Sequence, residues 1–147
     1  MPDVGYGPKP TNQILVAGHP LVQILKIQTV TNCYPGRLVK KGTNDDRVVV
    51  GAAGDGFIGW LGYEQTIKKH RPATVDTIYV QDAQAAVLHG GGFVIVASGT
   101  KALTKGQLLA AAADGKVSGG IAGTDHIVAI AEETIAAAGD IMVRSLI

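Results

Sequence analysis

The chain has 147 residues, a formal net charge of +1, 46% hydrophobic residues and only 5% aromatic ones. That length fits one domain burying roughly 70% of its unfolded surface, and the near-neutral charge removes the electrostatic argument for a nucleic-acid partner. Cys33 is the single cysteine, which excludes an intrachain disulfide and a cysteine-built metal cage.

Residues 1–12 carry Pro2, Pro8, Pro10, Gly5 and Gly7. Proline suits neither helix nor central strand, so this stretch reads as an extended arm preceding a single β-domain over residues 13–147. It is either a disordered tail or an arm that orders on a neighbouring subunit, anchored by Tyr6 and flanked by Pro8, Lys9 and Pro10. The opening lacks a basic-then-apolar leader pattern, and no apolar run nears the ~18 residues of a membrane span. The expectation is a soluble chain made in a cytoplasm, with no membrane partner.

Leu21 to Asn32 reads as a strand with untidy alternation, followed by a turn at Tyr34-Pro35-Gly36 and a short strand from Arg37 to Val39. A polar turn over residues 40–46 leads into a strand from Arg47 to Val50, and a glycine-rich link leads to a strand from Phe57 to Tyr63. Residues 64–71 predict two helical turns ended by Pro72. Asp76 to Val80 and Ala85 to Val87 read as short β segments, and Phe93 to Ala97 as the cleanest strand. Residues 101–113 are ambiguous: consecutive alanines favour helix, while Asp114-Gly115 between apolar pairs favours a hairpin. The last stretch predicts a closing hairpin. Ile127, Ala129 and Ala131 share one face; after Gly139-Asp140, Ile141, Val143 and Ile147 share another, opposite Arg144. Glycine is abundant, with 20 residues, and turn signals recur at short intervals. The fold class is therefore all-β, a small barrel or sandwich with at most one or two short helices.

Few residues suggest chemistry. Gly54-Asp55-Gly56-Phe57-Ile58-Gly59 matches a dinucleotide fingerprint in letters, but the residues after it hold more glycines and no helical stripe. His19, His70, His89 and His126 are scattered without metal-ligand spacing. Asp125-His126 with Ser118 or Ser145 lacks a nucleophile elbow. No enzyme, metal or cofactor is expected. Lys68-Lys69-His70-Arg71 is the single basic cluster, either a solvated face or a contact for an acidic partner surface. Trp60, flanked by glycines, is either core or an interface anchor. Charged residues are only 17%, against a usual ~25%, which points to a surface covered by something else.

The order of pieces carries more information. Tyr34-Pro-Gly-Arg-Leu-Val39 is followed by Gly59-Trp-Leu-Gly62, by Thr104-Lys-Gly-Gln-Leu-Leu109 with Asp114-Gly-Lys-Val117, and by His126-Ile-Val-Ala-Ile-Ala-Glu-Glu133 with Ala138-Gly-Asp-Ile-Met-Val-Arg144. Over residues 30–147 this resembles the head decoration, or capsid cement, proteins of tailed bacteriophages. In that family a "pG-x-LV" strand, a "kG-x-LL…dGkv" hairpin and an "iGiAlE…aaaGd" hairpin recur. Ala129 stands where the family pattern has glycine, and the basic insert over residues 64–71 is longer than the pattern. The resemblance implies a non-enzymatic virion protein on the capsid exterior that binds the major capsid protein and copies of itself, in threes rather than twos. It makes the arm with Tyr6, Pro8, Lys9 and Pro10, together with Trp60, Lys68, Lys69 and Arg71, the candidates for capsid or intersubunit contact. A carbohydrate- or ligand-binding β-barrel, as in a virion fibre or tail component, is the alternative; its mark would be an exposed aromatic platform.

Overall fold

The computed structural model describes residues 9–52, 56–99 and 102–147. Among the described residues eleven strands run in chain order: β1 (Leu15–Ala17), β2 (Leu21–Ile27), β3 (Leu38–Lys41), β4 (Arg47–Val50), β5 (Gly59–Leu61), β6 (Gln84–His89), β7 (Phe93–Ala97), β8 (Leu108–Ala111), β9 (Val117–Gly119), β10 (Ile127–Ala131) and β11 (Asp140–Ser145). Two short 3-10 turns, Lys68–His70 and Ala113–Gly115, are the helical elements among the described residues. The fold is all-β, as expected.

The strands divide into two bodies. β2-β4-β3-β5-β6 close into a barrel, and β1-β7-β11-β10-β8-β9 form an antiparallel sheet. The barrel has one parallel seam, β2 with β4; its other neighbours are antiparallel. Because side chains alternate across a strand, the barrel strands serve two cores. Leu25, Ile27, Val39, Val48, Leu61 and Val87 fill the barrel with Tyr79. Leu38, Trp60 and Leu88 point the other way and meet Val94, Val96, Val128, Ile141 and Val143 of the sheet. These aliphatic residues supply the apolar burial that the scarce aromatics cannot.

Several expectations hold. The hairpin at Asp114-Gly115 forms, with Asp114 in the left-handed region at φ 61°. The closing hairpin pairs Ala129 with Ser145 and Ala131 with Val143. The turn at Tyr34-Pro35-Gly36 requires its glycine: φ is +86°, and an added Cβ would stand 2.7 Å from the Ile95 carbonyl oxygen.

Two local expectations are corrected. Residues 64–71 do not form two α-helical turns; just the 3-10 turn Lys68–His70 appears there. A helix would need the carbonyls of Glu64 and Thr66 for its own ladder, but the Arg71 guanidinium donates to both, at 2.9 and 2.7 Å. The segment from Asp76 to Val80 is not a strand. The Tyr79 amide donates to the Cys33 carbonyl at 2.9 Å, and the Tyr79 ring enters the barrel, where its hydroxyl donates to the Gly62 carbonyl at 2.7 Å. The backbone of the segment is thereby tied to the Cys33 turn and not to a neighbouring strand.

Candidate contact surfaces

Tyr6 and Pro8 lie outside the described residues. The root of the arm is held on the outer face of the sheet. Lys9 reaches Glu133 at 2.6 Å, and the Glu133 side chain is only 1% exposed. Lys9 and exposed Pro10 border a shallow groove with Gln13, Val16, Ile95 and Met142. The root therefore covers Ile95, which faces away from the inter-sheet core yet is buried.

Glu64 ties this root to the basic insert. Its carboxylate accepts from the backbone amides of Ile14 at 3.0 Å and Leu15 at 3.3 Å, while its carbonyl accepts from Arg71. The Val75 amide also donates to the Thr11 carbonyl at 2.9 Å. The two features singled out from sequence, arm and insert, are thus joined at their bases. Nothing local announces the role of the Glu64 carboxylate, because its partners are about fifty positions away.

Within the insert the basic residues separate into two groups. Arg71 is half-buried, lies 5.4 Å over the Tyr63 ring, and holds loop carbonyls. It braces the loop. The His70 Nδ1 accepts the Gln84 amide at 3.2 Å. Lys68 and Lys69 are exposed and turn outward from the 3-10 turn. These two supply the accessible positive charge of the cluster.

Trp60 settles as a core residue. It is fully buried, and its indole N–H donates to the Ser145 hydroxyl at 2.9 Å. That bond crosses from the barrel to the sheet, so Trp60 is a fastening between the two bodies and not an outer anchor. Ser145 Oγ in turn donates to the Ile147 carbonyl at 3.0 Å and accepts the Ile147 amide at 3.3 Å. Ser145 is therefore committed to packing, which removes it from any triad with Asp125 and His126. Gly54 and Asp55 of the dinucleotide-like match lie outside the described residues; the chain beyond them enters β5, not a helix.

Titration in the interior is suppressed. Burial pushes the Cys33 thiol up to about 11, against a lesser opposing hydrogen bond from the Val50 backbone. Burial likewise pushes the Tyr79 hydroxyl up to about 12, against the opposing bond with Thr66. Both groups stay neutral at ordinary pH and act as packing.

No curated protein matches the chain. A family model described as structural cement protein (E217 gp24/Pam3 gp6) matches residues 16–147. The match spans both bodies of the fold, from β1 to the closing hairpin, and leaves out the arm and its root through Leu15. The chain belongs to this family of phage structural cement proteins and is a structural component of the phage capsid.

Proposed function

We propose that the chain binds the outside of the assembled capsid and stabilises it, with the major capsid protein and further copies of itself as partners and no catalytic role. The observation that carries this reading is the family match across nearly the whole folded body. The physical character of the chain supports it. A closed barrel fastened to a sheet is a stiff unit with few free edges, and a charge content of 17% suits a surface that is largely covered. Weak contacts repeated over a shell add through avidity.

The contact region of this proposal is the arm from Tyr6 through Pro10 together with Lys68 and Lys69; the Glu64 grip on Ile14 and Leu15, which ties the segment after the arm to the base of the insert, supports treating the two together. The threefold grouping implied by the family resemblance belongs to the shell-bound form. Co-sedimentation with undecorated capsids tests the assignment. The full chain is expected to pellet with shells and raise their thermal midpoint. Removal of residues 2–8 keeps Lys9 on Glu133, so folding is retained while occupancy falls. Lys68→Glu with Lys69→Glu is expected to lower occupancy in a salt-dependent way. Unchanged occupancy in both variants would refute the contact region; a full chain that never pellets with shells would refute the function.

A further inference from the structure

One edge of β2 is only partly covered. The strand pairs with β6 from Leu21 opposite His89 to Lys26 opposite Gln84, whereas β4 reaches only Lys26 and Ile27. From Leu21 to Leu25 no strand among the described residues lies along the other edge. The side chains there are apolar and open to solvent: Leu21 is 64% exposed, Val22 46% and Ile24 47%. Proteins normally blunt such an edge with charge, proline or a bulge, and this stretch has none of them.

The backbone is oriented for pairing. The Ile27 amide donates to Ala83 of the β6 side, and ladder partners alternate along an antiparallel pair. Leu21, Gln23 and Leu25 therefore turn their backbone groups to β6, which leaves those of Val22 and Ile24 aimed outward. The stretch is also self-complementary. Leu21-Val22-Gln23-Ile24-Leu25 has a leucine at each end, a β-branched residue inside each, and a glutamine at the centre.

We propose that the occupant of this edge is a second copy of the chain, β2 against β2, antiparallel about a twofold axis through Gln23. Val22 then faces the partner's Ile24 as a hydrogen-bonded pair, and its symmetry mate does the same, giving about four new backbone bonds. Gln23 faces the partner's Gln23 in the closer, non-bonded site, where the two side-chain amides can pair. A slip of one residue sets outward groups against inward ones and loses the bonds. A slip of two gains no complete hydrogen-bonded pair at either end. In one direction it sets Pro20, which has no amide hydrogen, against Ile24. In the other it needs the Lys26 amide, already given to Asp46. The contact is isologous and closes on two copies. On a shell it would tie neighbouring groups of three to one another.

The pairing needs no capsid, so the isolated chain tests it separately from the cement function. The seam is short, and a weak, concentration-dependent dimer is expected, seen by light scattering between about 10 µM and 1 mM. Mass should rise from 15.1 kDa toward twice that value. Ile24→Lys puts a charge into the seam at a solvent-exposed position; it should hold the mass at 15.1 kDa with an unchanged thermal midpoint. Gln23→Cys places thiols across the axis at a Cα separation of ~4.5 Å, within disulfide range. It should give a crosslinked dimer on mild oxidation, while Lys69→Cys does not. Cys33 is fully buried and does not compete. A chain that stays monomeric with Gln23→Cys uncrosslinked overturns the proposal. So does an assembly that Ile24→Lys leaves intact; the edge would then serve another surface, such as the capsid protein.

Discussion

Replacing Ser145 with alanine tests how the barrel is fastened to the sheet. Trp60 is fully buried and Ser145 is 5% exposed, so neither can turn to water when its partner is removed. The substitution leaves the indole N–H without its acceptor, a loss of about 1–3 kcal/mol for a buried donor. It also frees the Ile147 backbone, which Ser145 Oγ holds through two bonds. A destabilisation of about 2 kcal/mol is expected, equivalent to a thermal midpoint about 4–8 °C lower for a domain of this size. Urea denaturation followed by far-UV circular dichroism, which does not depend on the single tryptophan, reads it directly, as a lower midpoint at unchanged slope. Trp60→Phe supplies the control. It removes the donor and leaves a small void, costing about 2 kcal/mol by itself. With the donor gone, Ser145→Ala should cost less, so the double variant should fall short of the sum by about 1 kcal/mol. Additivity within about 0.3 kcal/mol would show that the bond does not couple the two bodies and would refute the reasoning.

Two further outcomes follow from buried polar groups. Tyr79 has an ordinary pKa of 10.0 that burial raises to about 12 in the folded chain. Below pH ~10 both states keep the proton and its contribution is fully present; between there and about 12 the unfolded chain ionises first and stability falls. Tyr79→Phe should flatten that decline relative to the parent chain in urea titrations from pH 9 to 11.5, with Cys33 common to both. An equal decline in the two would refute the assignment. At the arm root, Lys9→Ala withdraws the cation from a carboxylate that is 1% exposed, a loss of about 3 kcal/mol. Adding Glu133→Gln should recover most of it in the same denaturation assay. A Lys9→Ala chain as stable as the parent would show that the root is not held by this pair.

What could be read from the sequence follows the reach of each interaction. The strand at Phe93–Ala97 and the hairpin of β10 with β11 were legible because β-branched residues, alternation and a nearby turn all agree locally. The segment at 64–71 was not. Its Glu, Gln and Lys residues favour helix, but the Thr66 hydroxyl accepts the Ala86 amide twenty positions away, at 2.9 Å. Distant partners outweigh propensity there. The contact candidates divided the same way. The exposure of Lys68 and Lys69 follows from their charge, whereas the bracing role of Arg71 and the burial of Trp60 depend on elements that only the fold brings near. For β2, the symmetric Leu-Val-Gln-Ile-Leu run is plain in the sequence, but which edge is open depends on β4 stopping at Lys26.

The interleaving of the two bodies has a consequence for biosynthesis. β1 belongs to the sheet and finds its neighbour only in β7, while β2 must wait for β6, more than fifty positions later, before the barrel can close. The local hairpins β3-β4, β8-β9 and β10-β11 complete neither body by themselves, and β topologies closed by non-local pairs fold in milliseconds to seconds. The reverse passage is equally concerted: the barrel cannot open without exposing Leu38, Trp60 and Leu88, which are also the floor of the sheet's core. Loss of either body removes the apolar cover of the other, so decay proceeds over one large barrier and not by stepwise fraying. The persistence of the fold is then set by an unfolding rate, the property that matters for a particle that must outlast the cell that made it.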